Sequence, residues 1–218
     1  GVTISVMITK VKFSAPRGLM VGLFFAIIGV MILNMFLNIV ILSLCLNYRP
    51  LTYLSVKSIK KHYYDNLLTY DIYNNNTITN NKLLTAEHVF PQSFCKMYTY
   101  AKRDMHNIFL TTAESNLYRS NYPFIENINE LNILQSFNYF IPCEFARGQI
   151  ARTLAYMKFI YPKISIEKSI SLETLFKWNK EFEPNELEIK RNNLIYKIQG
   201  NFNPFILEPN GIEEIFKN

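Results

Sequence analysis

The sequence predicts an α+β fold: a small strand–strand–helix unit at about residues 84–121, set in a mostly helical body behind a long apolar helix. Three observations carry this reading. Residues 85–121 open with a short β-like run, turn at Pro91, pass through a basic stretch and return apolar at Ile108-Phe109-Leu110 before a helix start. Beyond Arg147, apolar residues recur at helical spacing, punctuated by Pro162, Pro184 and Gly200. Gly18 to Leu46 is apolar almost throughout, broken by Asn34, Asn38 and Ser43.

That apolar run divides the chain into a basic segment at 1–17, a membrane helix at 18–48 and a body at 49–218. It exceeds the roughly 20 residues a bilayer requires and the roughly 7–15 of a secretory signal core. No small-x-small cleavage site follows it, and Leu44 is too large for a lipobox ahead of Cys45. We read an uncleaved signal-anchor. Lys10, Lys12 and Arg17 precede the run, while Arg49, Lys57, Lys60 and Lys61 follow it, so the flanking charges divide. The body is expected outside the cytoplasm, membrane-anchored or secreted, as a monomer.

Within the body, helices are expected at 51–69, with Leu54, Val56, Ile59 and Tyr63 on one face, and at Arg147–Tyr161. Two more follow, at 171–180 around Trp178 and from Pro184 to Gly200. Residues 71–83 and 201–218 read as loop, and 122–145 as irregular. The 218 residues carry a net charge of +6, half of it from Lys10, Lys12 and Arg17. The mildly basic body suits a polyanionic partner. About half the residues are apolar, which excludes a disordered chain. Three cysteines without a CxxC pair exclude a zinc knuckle or thioredoxin-type site. Cys95 and Cys143 form a candidate disulfide in an exported body, with two free thiols as the alternative.

The chemistry concentrates in the strand–strand–helix unit. Asp65, Asp71 and Asp104 are the only aspartates, which argues against sites where several aspartates hold two metals. His88 has the side chain of a general base near neutral pH. Glu87 and Asn116 offer two oxygens to a hard cation, which keeps its waters and needs few protein ligands. Thr111-Thr112-Ala113-Glu114 reads as a capping box with Thr111 as N-cap, which fixes Asn116 near the positive helix end. Neighbours on a regular strand face opposite ways, so Glu87 and His88 share a site only at a bulge or where the strand ends near Val89-Phe90-Pro91. A zinc site from His62, His88 and His106 has no familiar ligand spacing.

Several boxes resemble the endonuclease I family in the same order over about residues 57–209. Glu87-His88-Val89-Phe90-Pro91-Gln92-Ser93 is similar to its EHVWPQS box, Asp104-Met105-His106-Asn107 to its D-[LM]-H-[HN] box, and Asn116 to Asn121 to its N-x-x-R-G-N box. Arg147 to Arg152 resembles its G-D-I-A-R helix. Glu188, Arg191-Asn192 and Gln199 to Ile206 resemble its E-x-x-R-N and QGNRNPFI segments.

The resemblance implies a ββα-metal (His-Me) finger and a largely sequence-nonspecific endonuclease cutting DNA, and RNA as a second substrate. It implies His88 as base, Glu87 and Asn116 holding Mg²⁺ (with Mn²⁺ or Ca²⁺ as substitutes), and 5′-phosphate ends. Arg103 and Arg119 are the candidate catalytic residues, Arg103 as the phosphate clamp and Arg119 either touching phosphate or bracing the finger. Lys96, Lys102, Arg147 and Arg152 are the candidate nucleic-acid contacts. Asp104 and His106 are expected to be structural. Ser120, Gln149 and Phe202 depart from the family's glycine, aspartate and arginine. The alternative is a membrane-tethered nucleic-acid-binding protein without turnover.

Overall fold

The structure, a computed structural model, describes residues 26–36, 54–78, 80, 83–127 and 138–216. The chain divides into two units, residues 1–42 and 43–218. In the first, residues 26–36 are helical, with Leu33 and Phe36 among the exposed apolar side chains. The basic segment at 1–17, and most of the expected membrane helix at 18–48 with Cys45, lie outside the described residues. Among the described residues no helix is long and apolar enough to cross a membrane.

The second unit begins with helix α1, Val56–Asp65, capped by the Ser55 side chain accepting from the Ser58 N–H. It is shorter than the 51–69 expected. Asn66 closes it and Leu67 takes a positive φ of 58°, which stops helical propagation. Ile59 and Tyr63 are its buried residues. Residues 70–77 form a turn closed by a bridge between Tyr70 and Thr77 rather than open loop.

Strands β1 (Leu84–His88) and β2 (Ile108–Thr112) pair antiparallel, with Glu87 opposite Phe109 and His88 opposite Ile108. Helix α2, Ala113–Arg119, follows β2 directly. Its cap is Thr112, whose hydroxyl accepts from the Ser115 N–H at 3.2 Å, and not Thr111 as the sequence suggests. Both threonines pair in the strand, Thr111 with Thr85 and Thr112 with Leu84, but the Thr111 hydroxyl is already taken, donating to Asp71 at 2.9 Å. The second threonine is therefore the one left to cap.

Helix α3, Glu144–Ile160, is the spine of the body: Ala146 and every residue from Gly148 to Met157 are buried. It starts three residues earlier than expected and packs on α4, Leu172–Glu181, which is capped by Ser171 and buries Trp178. Gly148 makes this contact possible. A methyl group there would sit 2.3 Å from the Phe182 carbonyl oxygen. Helix α5, Glu186–Gln199, starts at the Asn185 cap and ends on Gly200 at φ 93°, as Pro184 and Gly200 indicate.

The tail is more ordered than expected. Asn203 caps α6, Pro204–Leu207, with proline in its first turn, and α7, Gly211–Phe216, follows.

Of the two alternatives for Cys95 and Cys143, the structure has the free thiols and not the candidate disulfide. Cys95 is buried beside the Pro91 turn and donates to the Pro91 carbonyl at 3.5 Å, and burial pushes its thiol up to about 11. Cys143 is instead the residue that starts α3, with its N–H on the Tyr73 carbonyl.

Candidate active site

The strand–strand–helix unit is fixed from below by long-range polar contacts. Arg191 of α5 reaches the carbonyls of Met105, His106 and Ile108 at 2.6, 3.0 and 2.8 Å. Its guanidinium lies 3.6 Å over the Phe109 ring. The Asp104 carboxylate accepts from the His106 N–H, the Gln199 amide and the hydroxyls of Tyr156 and Tyr161, all at 2.9 Å. His106 Nε2 bonds the Asn201 carbonyl at 3.1 Å, and burial pushes the imidazole down to about 4. Asp104 and His106 are thus structural, as expected.

On this frame a pocket opens, lined by Ala86, Glu87, His88, Pro91, Gln92, Ser93, Asn116, Arg119, Ser120 and Asn121. Glu87, His88 and Asn116 share it. No bulge is needed, because β1 ends at His88 and the chain turns away through Val89 and Phe90 to Pro91.

His88 is 6 % exposed. Its Nε2 lies 2.9 Å from the Lys102 carbonyl, which can only accept, so Nε2 carries the proton. Nδ1 then has the free lone pair, which receives the Gln92 side-chain amide at 3.0 Å. Burial holds the imidazole below its ordinary 6.5, so it stays neutral at pH 7. A neutral imidazole with its far nitrogen fixed by an acceptor is the state a general base requires.

Glu87 is 2 % exposed. Its Oε1 accepts from the Tyr73 hydroxyl at 2.5 Å, and Arg119 Nε lies 3.4 Å from the same oxygen. The Arg119 contact is an ion pair rather than a hydrogen bond, since this Nε makes none. Burial pushes the carboxyl up to about 7 against the opposing pull of Arg119 and Tyr73. The carboxylate is thus under-compensated, a state that a bound cation relieves.

Asn116 donates its amide nitrogen to the Thr85 hydroxyl and the Ala86 carbonyl, both at 3.2 Å. The carbonyl can only accept, so the amide is oriented with nitrogen on β1 and Oδ1 left over. A carboxylate and an amide oxygen fit a hard cation such as Mg²⁺. Among the described residues no group of three or more histidine, cysteine or acidic side chains gathers for a metal.

The other expected residues divide. Arg119 lines the pocket but is fully buried, its Nη atoms donating to the Val89 and Ser120 carbonyls at 2.7 and 2.8 Å. Its guanidinium also lies over the Phe124 ring. It braces the unit. Arg103 and Lys96 are exposed and do not line the pocket, and Lys102 is half-buried and contributes its carbonyl to His88.

Arg152 does not offer its charge to a ligand. It is buried in a bidentate pair with Glu188, at 2.8 and 2.6 Å, and donates to the Phe182 carbonyl. Arg147 is held 3.4 Å from Glu126 and over the rings of Trp178 and Phe182. Both were expected at a nucleic-acid surface, and both are frame residues instead.

The sequence reading missed Asp71 and Tyr73. Asp71 accepts from the Thr111 and Ser115 hydroxyls and the Thr112 N–H, tying the turn to the start of α2. Their partners lie too far along the chain for a local pattern to show. Ser120 carries a φ of 51°, which accounts for glycine being the residue of the resembling box. Phe202, in the place of that family's arginine, stacks on Tyr196 at 4.1 Å.

An α+β body that brings a carboxylate, a buried neutral imidazole and an oriented amide to one pocket on a β-β-α unit defines the class. The family model for Endonuclease I matches residues 51–210, and the chain belongs to that family. It is 34% identical over 119 residues to Endonuclease-1 of Buchnera aphidicola (subsp. Acyrthosiphon pisum), covering 51% of this chain and 47% of that protein. It is 34% identical over 113 residues to an extracellular deoxyribonuclease of Aeromonas hydrophila, covering 47% and 48%. A periplasmic deoxyribonuclease of the same organism is 33% identical over 113 residues, covering 47% and 46%. The chain spans about half the length of these curated relatives.

Proposed function

We propose that this chain is a metal-dependent endonuclease that hydrolyses phosphodiester bonds in DNA with little sequence preference. The observation that carries the reading is the convergence of Glu87, His88 and Asn116 on one pocket. Family membership supports it, as do the printed names of the relatives, two of them deoxyribonucleases.

In this reading the Lys102 carbonyl fixes the His88 ring, and Nδ1 takes a proton from a water that replaces the Gln92 amide. Glu87 and Asn116 would hold one Mg²⁺, which when bound supplies positive charge beside the scissile phosphate and its leaving oxygen. Attack at phosphorus with departure of the 3′ oxygen leaves a 5′-phosphate. Arg119 sets the Glu87 carboxylate from behind. The relatives named extracellular and periplasmic support a body that works outside the cytoplasm, and residues 18–48 would tether it.

The test is cleavage of plasmid DNA by the purified chain with Mg²⁺, with and without EDTA. Nicking that EDTA abolishes, and that His88→Ala slows by about 100- to 10,000-fold, is the expected result. No cleavage with either Mg²⁺ or Mn²⁺ would sink the reading. RNA offered in parallel decides the breadth of substrate.

A further inference from the structure

The turn at 70–77 lies outside both strands and α2, yet its Tyr73 reaches the pocket carboxylate. Tyr73 is 5 % exposed, and its ring packs against Phe124 and Phe140, with centroids 6.2 and 4.6 Å away. The backbone beneath it is pinned, because the Tyr73 N–H donates to Asp71 Oδ1 at 2.8 Å. Asp71 is in turn held by Thr111, Thr112 and Ser115 at the junction of β2 and α2. The hydroxyl therefore has a fixed address, 2.5 Å from Glu87 Oε1.

Each oxygen of Glu87 then has its own task. Oε1 faces Tyr73 and Arg119 and the His88 backbone N–H also supports the carboxyl, while among the described residues no side chain pairs with Oε2. A carboxylate gripped by one oxygen has lost its freedom to rotate, and its second oxygen presents in one direction. We propose that Tyr73 is a positioning residue for the metal site, presenting Glu87 to the cation through Oε2 alone. The inference rests on the proposed metal-dependent reading of the pocket.

The same turn sets both proposed ligands. Tyr73 orients Glu87 on β1, and Asp71 two residues earlier fixes the start of the helix that carries Asn116. Partners of this kind, which touch a metal ligand but not the metal, typically change metal affinity by about 10- to 100-fold when removed. Tyr73→Phe keeps the ring packing and removes only the hydroxyl. Without it, Glu87 is free to turn toward Arg119 Nε, which has no hydrogen bond of its own.

The test is Mn²⁺ binding to the full chain, with free Mn²⁺ read by electron paramagnetic resonance. The variants are Tyr73→Phe and, as control, Tyr70→Phe. Tyr70 is also buried, but its hydroxyl donates to Gln149 at 3.0 Å. The expected result is a Kd about tenfold weaker for Tyr73→Phe and unchanged for Tyr70→Phe. Binding by Tyr73→Phe as tight as wild type, or equal weakening in both variants, overturns the positioning role while leaving the metal site standing. No Mn²⁺ binding by the wild-type chain overturns the metal reading itself, and this inference with it.

Discussion

Asn107 holds Phe90 at both of its backbone groups. Its Oδ1 accepts from the Phe90 N–H at 2.7 Å and its Nδ2 donates to the Phe90 carbonyl at 3.0 Å. The main chain joins in, since the Val89 N–H donates to the Asn107 carbonyl at 3.1 Å. The main chain thus continues the β1–β2 ladder one step past the last strand pair, and the side-chain amide holds the next residue, Phe90, where the chain turns away from the strand.

Removing this clamp should therefore be costly. Asn107→Ala leaves two buried backbone groups of Phe90 without partners, at about 1–3 kcal/mol each. We expect roughly 2–6 kcal/mol of lost stability in a urea titration, with reduced cleavage at temperatures where the variant remains folded. An Asn107→Ala variant as stable as wild type would show that water satisfies the turn instead.

The arginines divide between frame and surface, and the division can be measured. Arg152→Ala leaves Glu188 buried and unpaired, so about 3–5 kcal/mol of stability should be lost. Arg103 is exposed, and Arg103→Ala should leave the melting temperature nearly unchanged. If the exposed cations contact phosphate, DNA affinity of the double variant Lys96→Ala/Arg103→Ala should fall. Its salt slope should decrease by about 2. An unchanged slope would remove both residues from the nucleic-acid surface.

Much of the site is legible in the sequence, and the exceptions share a cause. Glu87, His88 and Asn116 stand out because a strand end and a helix start are local signals and, above all, because their boxes resemble those of the endonuclease I family. The cap falls one residue later than the local pattern indicates because Thr111 and Thr112 are equivalent locally, and only the bond from the Thr111 hydroxyl to Asp71, 40 residues away, separates them. Arg152 reads as a surface cation because its partner, Glu188, lies 36 residues on. Tyr73 and Asp71 were lost in an Asn-rich stretch whose composition says loop and whose contacts are all distant. Helices α3, α4 and α5 were found because apolar spacing, Pro184 and Gly200 are local signals. The tail helix α6 carries a local signal too, Asn203 before Pro204, within a segment whose composition reads as loop.

Acidity should act on the frame through His106. Its folded value near 4 lies below the ordinary 6.5, so the unfolded chain binds the extra proton first as pH falls. The stabilisation is fully present above about 6.5 and is lost between there and about 4. The shift corresponds to about 3 kcal/mol over that window. His106→Gln, which keeps a donor for the Asn201 carbonyl, should flatten this part of the stability profile relative to wild type. Parallel profiles for the two proteins, from chemical denaturation at a series of pH values, would refute the assignment.

Arg191 brings a different kind of consequence. The carbonyl of Ile108 waits for a guanidinium that lies 83 residues later in the chain, and Asp104 waits 95 for Gln199. A nascent chain that has just emerged through β2 and α2 therefore holds every proposed reactive group without the scaffold that aligns them. Their alignment depends on residues of α5, Arg191 and Gln199, that follow them in the chain. Under the proposed function, the reactive groups are made first and aligned afterwards.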